Sequence, residues 1–209
     1  MSGLLLHPRG AETLFLFAHG AGAPMTHPFM ESISVLLAAR GIATFRYNFP
    51  YMQAETKRPD PKPVLLSTIR AAVGKAHSLA PDLRLIAGGK SMGGRMTSTA
   101  AAVEQLDGVE GLVFFGFPLH APGKRTAERA DHLSNVKIPM LFLQGTRDSL
   151  ADLSLLTPVC RKLGRRATLH VIEGADHSFR VPKKSGRTDE EVKQELAETV
   201  GEWVKGLDG

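Results

Sequence analysis

Cysteine is almost absent from this sequence, since Cys160 is the only one among 209 residues. A single thiol cannot form a disulfide within the chain, and it excludes the paired cysteines of redox motifs and of most structural zinc sites. The histidines show no spacing that would replace them as metal ligands, so we expect no metal and no cofactor. A chain without disulfides is typical of a reducing compartment, and we predict a cytoplasmic protein.

Long hydrophobic runs are also missing. The apolar stretch at 14–18 follows Glu12 and ends at His19, so it is too short for a signal-peptide core or a membrane span. Lysine and arginine exceed aspartate and glutamate by 26 − 21 = 5, but outside 161–166 and 180–187 the basic residues are scattered. This distribution predicts a solvated basic surface, with no nucleic-acid partner and no membrane partner.

Six short apolar runs alternate with segments of helical spacing. The runs resemble strands that are covered on both faces, and they lie at 13–18, 42–47, 83–87, 111–115, 139–143 and 167–172. Helical spacing is present at 27–39, 63–79, 92–106, 152–163 and 190–204. The alternation predicts one α/β domain over residues 1–209, with a mostly parallel sheet of about six to seven strands and helices on both faces. The stretch 117–135 lacks periodicity and is too short for a large helical lid, so we expect an open cleft.

One serine is surrounded by four glycines in GGKSMGGRM, residues 88–96, directly after the third predicted strand. A turn sharp enough to lift a side chain out of a sheet brings backbone segments close together, and glycine tolerates that crowding. Residues 89–93 read GKSMG, which fits the G-x-S-x-G pattern of a nucleophile elbow between a strand and a helix. We predict that Ser91 is a catalytic nucleophile; the alternative is an ordinary helix N-cap.

An acid and a histidine follow the fifth and sixth predicted strands. They are Asp148 and His177, and groups that follow the strands of an open parallel sheet gather at one edge. The order Ser, Asp, His is that of the α/β-hydrolase triad. We predict that His177 takes the proton of Ser91 while Asp148 orients the imidazole and stabilises its positive charge. Asp152 is an alternative acid.

The first predicted strand ends in HGAG, residues 19–22, a loop of small residues. Such a loop can present a backbone N–H to the oxygen that becomes negative during acyl transfer. We predict an oxyanion hole made by the backbone N–H groups of Ala21 and Met92.

Residues near these motifs carry further predictions. Tyr51 and Met52 follow a strand end and are expected to line the substrate pocket, with ordinary core packing as the alternative. Arg180 lies in the basic loop after the histidine and is expected to attract an anionic substrate, with a merely solvated loop as the alternative. Lys90 and Arg95 flank the serine motif and are expected to be surface or supporting residues, with Lys90 pointing away from the pocket.

The motifs together resemble a family, the small α/β-hydrolase-like proteins related to dienelactone hydrolases. The resemblance covers residues 14–204 and rests on HGAG, RYNFPYM, GGKSMGGRM, PLHAPGK, LFLQGTRD and GADHSFRVPKKSGRT, in this order. The group includes an animal testis-expressed protein and a subunit of a histone-acetyltransferase complex. Dienelactone hydrolases proper have a cysteine nucleophile, and this chain has a serine. The resemblance implies the α/β-hydrolase fold and places the triad on Ser91, Asp148 and His177.

These observations predict a serine hydrolase that cleaves a carboxylic ester or thioester of a small soluble substrate through an acyl-enzyme. The alternative is a catalytically silent α/β-hydrolase-fold domain that serves as an interaction module, because a fold alone does not determine function.

Overall fold

The computed structural model describes residues 2–56, 58–121 and 123–208. Within these ranges there are seven strands: β1 (Gly3–Leu6), β2 (Thr13–Ala18), β3 (Ile42–Tyr47), β4 (Arg84–Lys90), β5 (Val109–Phe115), β6 (Met140–Gly145) and β7 (Ala167–Ile172). They form one sheet in the order β1-β3-β2-β4-β5-β6-β7. Strand β1 pairs antiparallel with β3, and all the other pairings are parallel. The mostly parallel sheet is therefore confirmed, and β1 is the strand that the apolar runs did not reveal.

Helices cover both faces of the sheet. In the described part of the chain they are α1 (Pro28–Ala38), α2 (Pro50–Gln53), α3 (Lys62–Leu79), α4 (Met92–Val103), α5 (Leu153–Leu163) and α6 (Asp189–Lys205). Helices α1 and α6 bury their apolar residues with Phe15 and Phe17 of β2, whereas α3, α4 and α5 do so with Leu14 and Leu16. Successive residues of β2 thus point into opposite cores, which is why this strand is apolar at nearly every position.

The segment between β5 and β6 forms no lid. Its regular structure is a 3₁₀ helix, Glu128–Asn135, which packs against α4 and buries Ala130 and Leu133. Over the described residues, no helix is both long and apolar enough to span a membrane.

The parallel strands determine where the predicted site residues meet. Strands β2, β4, β6 and β7 end at Ala18, Lys90, Gly145 and Ile172, and all four ends lie at one edge of the sheet. The loops that follow these strands therefore converge, although they are far apart along the chain.

Candidate active site

The chain turns sharply at Ser91, between β4 and α4. Ser91 has φ 50° and ψ −116°, a left-handed conformation that is rare outside glycine. Gly89 and Gly93 make this turn possible: a Cβ would lie 2.3 Å from the carbonyl oxygen of Ala18 at the first position, and 2.5 Å from that of His19 at the second. A Cβ this close to a backbone oxygen would be a steric clash that the backbone cannot relieve by a small shift. Glycine is therefore required on both sides of the strained serine.

Ser91, His177 and Asp148 form a continuous hydrogen-bonded chain. Nε2 of His177 lies 2.9 Å from Oγ of Ser91, and Nδ1 lies 2.7 Å from Oδ2 of Asp148. A carboxylate only accepts hydrogen bonds, so Nδ1 carries the proton and Nε2 of the neutral ring is left to accept from the serine hydroxyl. The three residues that the sequence singled out are therefore brought together, in the orientation that proton transfer from serine requires.

Asp148 is held as a carboxylate by several donors. Its side chain is 1% exposed. Oδ2 accepts from Nε2 of Gln144 at 2.5 Å, and Oδ1 accepts from the N–H of Leu150 at 2.8 Å. Burial by itself would raise the pKa of Asp148, but the hydrogen bond and charge of His177, the Leu150 N–H and the charge of Lys90 together lower it below its ordinary value.

Asp152, the alternative acid, caps a helix and pairs with an arginine. Its Oδ1 accepts from the N–H of Ser154 at 2.8 Å and thereby caps α5, while Oδ2 pairs with Arg125. Asp176, next to the histidine, accepts from the N–H groups of Ser178 and Arg180 and so shapes its own loop.

Lys90 was expected to point away from the pocket, and this expectation is wrong. Its Nζ donates to the carbonyl oxygen of His177 at 2.5 Å and lies 5.8 Å and 5.3 Å from the ring centroids of Phe29 and Phe179. Burial lowers the pKa of Lys90 to about 8, while the charges of Asp148 and Asp176 act in the opposite direction. Lys90 and His177 are 87 positions apart along the chain, so the local pattern at the end of β4 could not show this contact.

Two clefts include Ser91 in their linings. The larger has a volume of about 520 Å³ and includes Met92 and Arg95 in its lining; the smaller, of about 330 Å³, includes Lys90 and His177. Ser91 and Ala21 line both. The serine hydroxyl is thus placed between two spaces, each large enough for one part of a small ester.

The two residues predicted for an oxyanion hole lie beside the serine. Met92 is the first residue of α4, where a backbone N–H has no partner within the helix. Ala21 follows His19, whose Nε2 accepts from the N–H of Phe49 at 3.1 Å and whose Nδ1 is 2.8 Å from the oxygen of Gly20. Burial lowers the pKa of His19, which favours the neutral ring that this bonding requires. His19 therefore braces the loop that carries Ala21.

Three predicted substrate-binding residues lie elsewhere among the described residues. Tyr51 is 3% exposed and packs its ring on Phe49 and His19. Met52 packs against the core, and Arg180 is exposed. None of the three lines either cleft beside Ser91. Their role in substrate binding stays a prediction.

A second serine–histidine contact occurs two turns further along α4. Oγ of Ser98 lies 2.8 Å from Nε2 of His132. Ser98 is 0% exposed, so its hydroxyl cannot reach a substrate. Within the described ranges, no group of three or more His, Cys, Asp or Glu residues is arranged to hold a metal ion.

Known proteins resemble this chain over nearly its whole length. Residues 11–205 match the family model described as the alpha/beta hydrolase domain. Similar solved structures include a dienelactone hydrolase from Anabaena variabilis ATCC 29413, with 23% identity, a TM-score of 0.75, and coverage of 98% of this chain and 90% of that one. An alpha-beta serine hydrolase homologue from Coxiella burnetii has 19% identity and a TM-score of 0.75, with 94% and 90% covered. A lidless a/b serine hydrolase from Xanthomonas campestris has 19% identity and a TM-score of 0.73, with 96% and 88% covered. At these identities the structures establish the shared fold.

Proposed function

Because the chain belongs to the alpha/beta hydrolase domain family, we propose that it is a serine hydrolase that cleaves a carboxylic ester or thioester of a small substrate. The observation that carries this proposal is the hydrogen-bonded chain from Ser91 through His177 to Asp148, with the serine hydroxyl between two open clefts. A serine hydroxyl is a weak nucleophile until an adjacent base removes its proton, and this arrangement supplies that base.

The reaction would proceed through an acyl-enzyme. Oγ of Ser91 attacks the carbonyl carbon while Nε2 of His177 takes the hydroxyl proton, and Asp148 stabilises the imidazolium that results. The N–H groups of Ala21 and Met92 face the developing negative oxygen, a contribution of roughly 3–4 kcal/mol for each such donor. His177 then protonates the leaving group, and water, activated by the same imidazole, releases the acid.

The two clefts suggest where the two halves of the substrate would bind. The leaving group must receive a proton from His177, which lines the 330 Å³ cleft. The leaving group therefore occupies this smaller cleft, and the acyl part lies in the 520 Å³ cleft together with Met92.

A serine-directed fluorophosphonate probe tests the proposed function directly. The probe is expected to form one covalent adduct on the folded protein, on Ser91, because an active serine attacks phosphorus as it attacks a carbonyl. Intact-mass and peptide mass spectrometry would locate the adduct. If protein with a native circular dichroism spectrum is not labelled, the hydrolase proposal fails and the interaction module takes its place.

Lys90 is proposed to position the histidine. Its ammonium donates to the carbonyl group of His177, so Lys90→Met should increase the mobility of the imidazole. Lys90 lines the smaller cleft, but methionine is similar to lysine in length, so we expect substrate access to change little. A hydrogen bond from a charged donor is worth about 1.5–3 kcal/mol, and we expect kcat to fall roughly tenfold or more with KM little changed. Steady-state kinetics with a 4-nitrophenyl ester would measure this split, and Lys162→Met, at an exposed lysine, is the matched control.

The pH dependence of stability gives Lys90→Met a second readout. The pKa of Lys90 is about 8 in the folded protein against an ordinary 10.5, so between these pH values the unfolded chain binds the extra proton. The free energy of unfolding of the unsubstituted protein should therefore rise relative to Lys90→Met as pH increases from 8 towards 10.5. Urea unfolding at a series of pH values would show it. The placement of Lys90 would be contradicted if the difference in free energy of unfolding between the two proteins did not change with pH. It would also be contradicted if Lys90→Met raised KM and left kcat unchanged.

A further inference from the structure

Three cationic side chains share the wall of the larger cleft. Lys62 is the first residue of α3, Arg95 lies one turn after Ser91 on α4, and Arg129 belongs to the 3₁₀ helix Glu128–Asn135. All three line the 520 Å³ cleft in which Ser91 is exposed. The cations thus come from three separate elements and converge beside the proposed nucleophile.

These three cations form no ion pair with the described residues. The ion pairs of the described part of the chain do not include Lys62, Arg95 or Arg129. The one carboxylate that lines the cleft is Asp60, and its Oδ2 accepts from the N–H of Tyr51 at 2.8 Å. The three cations also line an adjoining cavity, together with Glu128 and Asp131. The lining of the Ser91 cleft itself contains three cations and one carboxylate, and the two further acids belong to the adjoining cavity.

The charged form of Arg95 is held at an electrostatic cost. Nε of Arg95 is buried and has no hydrogen-bond partner. Burial first, and then the charge of Arg129, lower the pKa of Arg95. Burial and the charges of Arg95 and Lys62 lower the pKa of the neighbouring His132 to about 4, so this imidazole is neutral at pH 7 and adds no further charge. Like charges held together in a partly buried wall are unfavourable until an anion joins them.

We propose that this wall, defined by Lys62, Arg95 and Arg129, binds a phosphate group on the acyl part of the substrate. The inference rests on the proposed function, because it names the class of ester that the same site accepts. One guanidinium can pair a carboxylate in bidentate fashion, whereas three cations against one carboxylate match the double negative charge and the three oxygens of a phosphate monoester. Arg180, which the sequence predicts to attract an anionic substrate, does not line this cleft, and its role stays a separate prediction.

Binding of phenyl phosphate to the unsubstituted protein tests the site without requiring turnover. Isothermal titration calorimetry is expected to show that phenyl phosphate binds more tightly than benzoate. In Arg95→Ala/Arg129→Ala the dissociation constant should rise about tenfold or more, because two charge-assisted contacts are removed. The matched control is Arg161→Ala/Arg165→Ala, which removes the same charge from two exposed positions and should bind phenyl phosphate as the unsubstituted protein does.

The outcomes separate the two proposals. If phenyl phosphate does not bind, if benzoate binds as tightly, or if the control variant loses as much affinity, the phosphate site is overturned even when the fluorophosphonate probe labels Ser91. If phenyl phosphate binds through Arg95 and Arg129 but Ser91 is not labelled, the site stands and the hydrolase proposal fails. Should the double variant not fold, Arg129→Ala alone carries the same comparison, with Arg161→Ala as its control.

Discussion

Ser91→Ala is expected to lower kcat by roughly 10⁶-fold, because removal of the nucleophile of a serine–histidine–aspartate unit abolishes the function of the whole unit. The fold should survive. The hydroxyl's contact is with His177, and alanine occupies less space than serine in the same turn. Steady-state kinetics on a 4-nitrophenyl ester, together with urea unfolding of both proteins, would measure the two effects separately.

Ser98→Ala is the control for this substitution. It removes a serine hydroxyl from the same α4 segment, and that hydroxyl also contacts a histidine nitrogen, in this case of His132. Because Ser98 is sealed from solvent, kcat should stay within a few fold of that of the unsubstituted protein. Retained activity in Ser91→Ala would contradict the proposed mechanism, and loss of activity in Ser98→Ala with retention in Ser91→Ala would assign the nucleophile to Ser98.

The fold could be predicted from sequence because its strongest signals are local. Strands β2 to β6 are largely buried on both faces and mostly apolar, so each stands out as a short run. Strand β7, at the edge of the sheet, is only partly buried, but its residues are still mainly apolar or β-branched. Strand β1 has four residues at the edge of the sheet, and three of them are exposed. Helix α2 is equally short, at four residues. Elements of this length carry too little periodicity to be recognised.

The hydrogen-bonded chain of the site was predictable for a related reason. Ser91, Asp148 and His177 each follow a parallel strand closely, so the sheet itself places them at one edge. Arg129, by contrast, lies in the stretch 117–135 that lacks periodicity, and its proximity to Arg95 depends on how that stretch folds against α4. Lys90 was misplaced because its contact is with the carbonyl oxygen of His177, 87 positions away along the chain, and the local sequence around Ser91 carries no sign of it.

Asp148→Asn is expected to lower kcat by about 10⁴-fold while leaving measurable activity. Both carboxylate oxygens of Asp148 accept hydrogen bonds, Oδ1 from the N–H of Leu150 and Oδ2 from Gln144 and His177. Asparagine can keep the bond to Leu150 only by turning its NH₂ group towards His177. Nδ1 must then accept a hydrogen bond, so the proton moves to Nε2, and the imidazole can no longer take the proton of Ser91.

The variant should nevertheless fold, because Gln144 can reverse its side-chain amide. Its Oε1 is buried without a hydrogen-bond partner and would accept from the new NH₂ group once the amide is turned. Asp152→Asn is the matched control: it alters a helix cap and an exposed pair with Arg125, so it should cost some stability and little kcat. Full activity in Asp148→Asn combined with an inactive Asp152→Asn would show that the acid had been assigned to the wrong residue. A large loss in Asp148→Asn alone would show that the tautomer of His177, which the carboxylate sets, limits the reaction.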